Sequence, residues 1–236
     1  MWEFVDKIIY INLDHREDRR QIMQKLFQEG SIPSEKIERF SAIKHEIGAI
    51  GCTLSHISVL KLAKDHKWKN LLIMEDDVEW VDFQANYEKL EKIITETFDV
   101  CMLGGLYSEN TNLRVKKTFG AHAYIVKNHY YDILLDNLQE ALSKRLNVNV
   151  SLFPMQTKKQ RYNDLVKSRH EYSSDIYWWK LQEKDMWIAI IPSMCIQSIT
   201  YSDTTNKIAP GYMDIDVERL KGYSSTLISR FSKPIE

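Results

Sequence analysis

Short apolar runs separated by polar stretches of helical period set the rhythm of the chain. Phe4 to Leu13 is rich in β-branched and aromatic residues and reads as a first strand, ending at the polar string Asp14-His15-Arg16-Glu17-Asp18-Arg19-Arg20. Ile22, Met23, Leu26 and Phe27 recur at helical spacing, and Gly30 followed by Pro33 stops that helix. Ile37 to Ile43 predicts a second short strand. From Thr53, a residue type suited to an N-cap, Leu54, Ile57, Leu60, Leu62 and Ala63 mark another amphipathic helix. Leu71 to Met74 is an unalternated apolar run, as in a central strand covered on both faces. A polar helix over 84–95, a strand from Phe98 to Leu103 ending at Gly104-Gly105, a strand from Ala121 to Val126 and a helix from His129 to Leu142 continue the alternation. Strand-helix-strand order of this kind predicts an α/β fold.

After Lys144 the pattern dissolves for about thirty residues, a length at which connections serve as substrate lids or stay partly disordered. Order returns with Asp175-Ile176-Tyr177-Trp178-Trp179 and the strand-like run Trp187 to Ile191. One domain over 1–216 is therefore expected, with 145–174 as a variable loop or acceptor lid. In the tail, 217–236, Leu220, Tyr223, Leu227 and Phe231 fall at near-helical spacing among basic residues. Gly222 and the serine string weaken that helix, so docking or fraying is expected, with peripheral membrane contact as the other reading.

Composition narrows the function classes. With 236 residues and a net charge of −1, the chain lacks the basic field of a nucleic-acid binder. Three widely spaced cysteines, Cys52, Cys101 and Cys195, form no Cys-x-x-Cys and read as free thiols. The opening apolar run is too short and acid-interrupted for a signal peptide, and no stretch suits a membrane span, so a cytoplasmic protein is expected.

Glu75, Asp76 and Asp77 follow the apolar run directly. Ligands of open α/β sheets bind beyond the carboxyl ends of such strands. Three adjacent anions are costly to desolvate, and a hard cation held by oxygen ligands, Mg²⁺ or Mn²⁺, offsets that cost. The plain alternative is a solvated acidic turn. Because strand side chains alternate, Glu75 and Asp77 are expected on one side and Asp76 on the other.

The ordered blocks IIYINLDHREDRR, ERFSAI, GAIGCTLSHISVL and NLLIMEDDV, followed by DVCMLGG and AHAYIV, resemble glycosyltransferase family 25, the family of lipooligosaccharide and collagen hydroxylysine galactosyltransferases. The resemblance covers about 1–128 closely and continues loosely through SSDIYW and IIPSMCIQSITYSDT. The second block also resembles homologues carried by large DNA viruses. His122 departs from the Thr or Ser of bacterial members, and 144–174 matches no family pattern.

This resemblance implies a GT-A glycosyltransferase fold, a Rossmann-like, mainly parallel sheet flanked by helices. It further implies inverting transfer of a hexose, galactose or glucose, from a UDP-sugar donor to a hydroxyl of a glycan, a glycolipid or a hydroxylysine-type protein. Glu75 and Asp77 become the Mn²⁺ (or Mg²⁺) ligands, with Asp76 on ribose or a metal-bound water. Asn12 and Arg16, past the first strand, are placed for uracil and phosphates. Ser55 and His56 belong to the second block; His56 either bonds the acidic loop or a phosphate, or fills a buried hydrogen-bonding position. Gly105, with Gly104, allows close ligand approach or simply turns the chain. His122 and Tyr124 share a strand face that would line the donor sugar. Asp175 is the candidate general base, although Ser173-Ser174-Asp175 also fits a helix N-cap, and Asp203 is its rival, otherwise a turn residue. Trp178, Trp179 and Trp187 read as core. Two other classes remain in play: a degenerate member that binds nucleotide or glycan without turnover, and a metal-dependent phosphoesterase, which would want a two-metal cluster.

Overall fold

The computed structural model describes residues 1–111, 113–147, 171–198, 200–203 and 207–209. Most of the expected lid, 148–170, and the whole tail from 217 lie outside the described residues.

A six-stranded sheet runs β2 (Ile37–Ser41), β1 (Lys7–Asn12), β3 (Asn70–Glu75), β6 (Arg114–Lys127), β5 (Val100–Thr111), β7 (Trp187–Ala189). β1 pairs in parallel with both β2 and β3, and β5 in parallel with β7, while β6 is antiparallel to both β3 and β5. The result is a mostly parallel mixed sheet flanked by helices, in agreement with the α/β fold expected.

The central run explains the layering. Leu71, Leu72, Ile73 and Met74 are all fully buried, and each such side chain contributes about 1.5–3 kcal/mol of hydrophobic stabilisation. Leu71 and Ile73 pack with residues of α2 (Gly48–His66) and α4 (Tyr131–Asn147). Leu72 and Met74 pack with Met23, Leu26 and Phe27 of α1 (Glu17–Glu29) and Tyr87, Leu90 and Ile93 of α3 (Phe83–Ile93). The period-two alternation of one strand thus addresses two helical layers. Trp178 and Trp187 are core, as expected, and Trp178 packs edge-on against Tyr124.

Several boundaries differ from the sequence reading. Thr53 is not a cap: α2 begins at Gly48, and the Thr53 hydroxyl donates back to the Ala49 carbonyl at 2.9 Å, as Ser55 does to Gly51 and Ser58 to Leu54. Such i−4 bonds satisfy hydroxyls inside a helix, so polarity there does not mark its start. Gly51 lets the helix approach the preceding loop, since a Cβ there would overlap the Ile43 carbonyl oxygen. Ile22 is exposed, the buried face of α1 being Arg19, Met23, Leu26 and Phe27. Gly104-Gly105 does not end its strand; β5 runs through both glycines to Thr111, with register shifts, and pairs with a β6 that begins at Arg114. α4 extends to Asn147, past the expected start of the irregular stretch. Short helices α5 (Ser174–Tyr177) and α6 (Trp179–Lys184) precede β7.

Beyond the main sheet, β4 (Val78–Trp80) pairs antiparallel with β8 (Cys195–Gln197), and β9 (Thr200–Ser202) with β10 (Lys207–Ala209). Val78 lies opposite Gln197, which ties the acidic turn to a segment 120 residues away in sequence. No helix among the described residues is long and apolar enough to cross a membrane.

Candidate active site

Glu75 closes β3, and Asp76 and Asp77 form the turn into β4. The alternation that sorts the core sorts the acids. Glu75 turns toward α2, where its Oε1 lies 3.5 Å from His56 Nε2 and 3.7 Å from Cys52 Sγ. Asp76 turns toward β1 and α1, accepting from Asn12 Nδ2 at 2.7 Å and Arg19 Nη1 at 2.5 Å. Asp77 stands between, 3.3 Å from Arg19. Gln197 Nε2 donates to Glu75 Oε2 at 3.3 Å and Asp77 Oδ2 at 3.4 Å, and the Ser198 amide donates to the Asp77 carbonyl at 2.6 Å. The turn therefore joins Glu75 and Asp77 through Gln197, while Asp76 turns to Asn12 and shares Arg19 with Asp77.

The pair divides its protons unequally. Burial pushes the Asp77 carboxyl up, and the neighbouring Glu75 charge adds to this, bringing it to about 7. Glu75 is also penalised by burial, but the approach of His56 at 3.5 Å and the charge of Arg19 hold it net below the ordinary glutamate value. Asp77 Oδ1 is buried with no hydrogen-bond partner. A buried carboxylate oxygen in that state is costly unless something binds it. This orphaned oxygen beside a second carboxylate fits a hard divalent cation; Glu75 and Asp77 would hold it.

On the α2 side, His56 is buried, with Nδ1 sharing a hydrogen bond with the Tyr124 hydroxyl at 2.9 Å. His122 is fully buried and neither ring nitrogen has a hydrogen-bond partner. Burial lowers its pKa, against the charges of Glu75 and Asp175, so the ring is held toward its neutral form. Gly104 makes room for this imidazole: a Cβ there would clash with the ring and lie 2.7 Å from the Cys195 carbonyl oxygen. The space opened by Gly104 is thus filled by the protein's own histidine. Gly105 accepts a hydrogen bond through its carbonyl from Ser193 at 3.1 Å.

Asp175 sits in the first turn of α5 and approaches the same cluster. Its Oδ2 accepts the Gly120 amide at 3.0 Å and its Oδ1 the Ser173 hydroxyl at 2.7 Å. Gly120, at φ +84°, lies against the His122 ring. The charge of Asp175 bears on both His122 and Cys52. Ser173 occupies the N-cap position of α5 without a side-chain cap bond.

Asp203 lies on the opposite side. It receives Arg16 Nη1 at 2.5 Å and lies 3.4 Å from His15 Nε2. Arg16 also grips Asp18 at 2.8 and 2.9 Å, and this holds the Asp18 carboxyl down to about 2. The structure therefore brings Glu75, Asp77, His56, Tyr124, His122 and Asp175 into one neighbourhood, and Asn12, Asp76, Arg16 and Asp203 into another. Ser55 joins neither directly: buried, it accepts the Ile43 amide and donates to the Gly51 carbonyl, fixing the loop before α2.

Three residues of this region escape a reading of the sequence. Arg19 pairs with Asp76 and Asp77 from inside the buried face of α1; a charged residue in register with Met23, Leu26 and Phe27 is the available sign. Cys52 is four residues before His56 and shares its helix face. Gln197 gives no local sign at all, since only the pairing of β4 with β8 brings it to the turn.

The profile described as Glycosyltransferase family 25 (LPS biosynthesis protein) matches residues 46–117, from the loop before α2 through the acidic turn into β6. Over that stretch the chain is similar to glycosyltransferase family 25. The "Putative glycosyltransferase R655" of Acanthamoeba polyphaga mimivirus is 34% identical over 119 residues, 42% of this chain and 37% of that protein. The chain thus matches little more than a third of the length of this curated relative, and the link to large DNA viruses agrees with the wording of its second block. Solved structures of related shape include a glycosyltransferase involved in the glycosylation of the major capsid of PBCV-1, 11% identical, covering 81% of this chain and 92% of that one at a TM-score of 0.47. Another is mannose-1-phosphate geranyltransferase from Thermus thermophilus, 9% identical, covering 81% and 73% at a TM-score of 0.40.

Proposed function

We propose that the chain is a metal-dependent, inverting glycosyltransferase that moves galactose or glucose from a UDP-sugar to a hydroxyl of a glycan, glycolipid or hydroxylysine-type protein. The observation that carries this reading is the Glu75–Asp77 pair at the carboxyl end of β3, with a buried, unpartnered Asp77 oxygen. Bound there, Mn²⁺ or Mg²⁺ supplies Lewis-acid neutralisation of the departing diphosphate. Asn12 and Arg16, at and just after the end of β1, position the nucleotide, with Arg16 braced by Asp18 and Asp203. Asp76 orients Asn12 and Arg19, and Ser55 fixes the loop behind the donor. His122 and Tyr124, with the backbone at Gly105, wall the sugar side.

Asp175 rather than Asp203 is the base in this reading. Asp203 is paired with Arg16, whereas the hydrogen-bond donors on Asp175 are one backbone amide and one hydroxyl. The acceptor oxygen forms its bond to the anomeric carbon as that carbon's bond to the phosphate oxygen breaks; the acceptor proton passes to Asp175.

UDP release from UDP-galactose and UDP-glucose, measured with Mn²⁺ and with chelator against pools of glycan, glycolipid and hydroxylysine peptide, tests the proposal. Chelator-sensitive UDP release with sugar on the acceptor supports it. Metal-dependent binding without turnover marks a degenerate binder, and release of free phosphate marks a phosphoesterase.

A further inference from the structure

Cys52 and His56 stand four residues apart on one face of α2, and Glu75 reaches them from the end of β3. Their ligand atoms, one sulfur, one imidazole nitrogen and one carboxylate oxygen, all lie within 4.8 Å of one another. Glu75 Oε1 is 3.5 Å from His56 Nε2 and 3.7 Å from Cys52 Sγ. In tetrahedral zinc sites, with bonds of about 2.0 Å to nitrogen or oxygen and about 2.3 Å to sulfur, neighbouring ligands are separated by roughly 3.3–3.6 Å. Two of the three separations are thus close to those of a formed site, and the third, between Cys52 and His56, is within 4.8 Å.

A second observation points the same way. His56 is only 2% exposed, yet its Nε2 has no hydrogen-bond partner. Its other nitrogen is fixed by the Tyr124 hydroxyl at 2.9 Å, the arrangement that orients metal-ligating histidines. The ring is thereby aimed at Glu75, 3.5 Å from its Oε1, without a hydrogen bond formed. The donor set matters too: thiolate and imidazole favour zinc-like ions, whereas the carboxylate pair Glu75–Asp77 favours hard ions. We propose that Cys52, His56 and Glu75 form a binding site for a thiophilic divalent cation of the Zn²⁺ class, adjoining the Glu75–Asp77 pair through the shared Glu75. Cys52 loses its thiol proton to solvent as the metal–sulfur bond forms, and the fourth position takes water. The inference does not rest on the transferase reading, because it concerns metal alone.

The test uses the reduced full chain titrated with Co²⁺. The expected result is a near-ultraviolet thiolate-to-cobalt band that saturates at one equivalent, is displaced by Zn²⁺, disappears in Cys52→Ser and persists in Asp77→Asn. Absence of the band, or its survival in Cys52→Ser, overturns the site. Should Cys52→Ser fail to fold, alkylation of the unaltered chain followed by mass spectrometry decides: Zn²⁺ is expected to slow modification of Cys52 at least tenfold. Equal Cys52 rates with and without Zn²⁺ overturn the proposal. Failure of the transferase reading would appear as lost nucleotide-sugar binding with the cobalt band intact.

Discussion

The two sides of one acidic turn are built to different standards of completeness. On the β1–α1 side, both oxygens of Asp76 are engaged, by Asn12 and Arg19, and Arg16 is held between Asp18 and Asp203. On the α2–β6 side, Asp77 Oδ1, His56 Nε2 and both nitrogens of His122 are buried without hydrogen-bond partners. A fold gains nothing from orphaned polar atoms in its interior. These open atoms mark the metal side of the proposed site, while the ion pairs on the other side hold Asn12 and Arg16 in place.

Breaking the working side should cost chemistry and spare the fold. Asp175→Asn keeps an oxygen for the Gly120 amide but cannot take a proton, so kcat is expected to fall about 10²–10⁴-fold, with donor binding retained. A kcat within about threefold of the parent would remove Asp175 from the base role. Breaking the bracing side should do the reverse. Arg19→Met leaves Asp76 buried beside Asn12 alone, and denaturant unfolding is expected to show a loss of roughly 3–5 kcal/mol. A loss below about 1 kcal/mol would mean the ion pair is not a structural element.

Acid–base behaviour sharpens the contrast further. The Asp77 carboxyl, at about 7 in the folded chain, is far above its ordinary 3.8. Between these values the folded state holds a proton that the unfolded state has released, so this group makes stability fall as pH rises from about 4 to about 7. The metal-free chain should therefore lose roughly 2–4 kcal/mol across that window relative to Asp77→Asn. Parallel pH–stability curves for the two proteins would contradict the assignment. The smallest effect belongs to Asp203→Asn: its ion pair with Arg16 is partly exposed, and a change of about 1 kcal/mol or less in stability is expected. A large loss of kcat in that variant would move Asp203 back into contention as base.

What a reader of the sequence can see follows the same division. The run Leu71 to Met74 and its acid tip are visible, because a strand buried on both faces needs an unbroken apolar string and the carboxylates interrupt it abruptly. The opposite facing of Glu75 and Asp76 follows from period two alone. Helix α1 is visible by spacing, but Arg19 looks like one of its solvated neighbours, since its partner Asp76 is 57 residues away. The start of α2 is hidden because Thr53 spends its hydroxyl on Ala49 inside the helix. The outer halves of β5 and β6 lack the apolar density of their inner halves. Gln197 depends wholly on the β4–β8 pairing, and the open atoms of His56 and His122 are properties of packing that no linear pattern records.

Calorimetric titration with UDP-galactose and UDP-glucose, with and without Mn²⁺, run beside Asp77→Ala, tests the central claim most directly. One UDP-sugar is expected to bind only in the presence of metal, and Asp77→Ala to lose this binding while remaining folded. Binding indifferent to both metal and Asp77, or no binding of either donor, would contradict it.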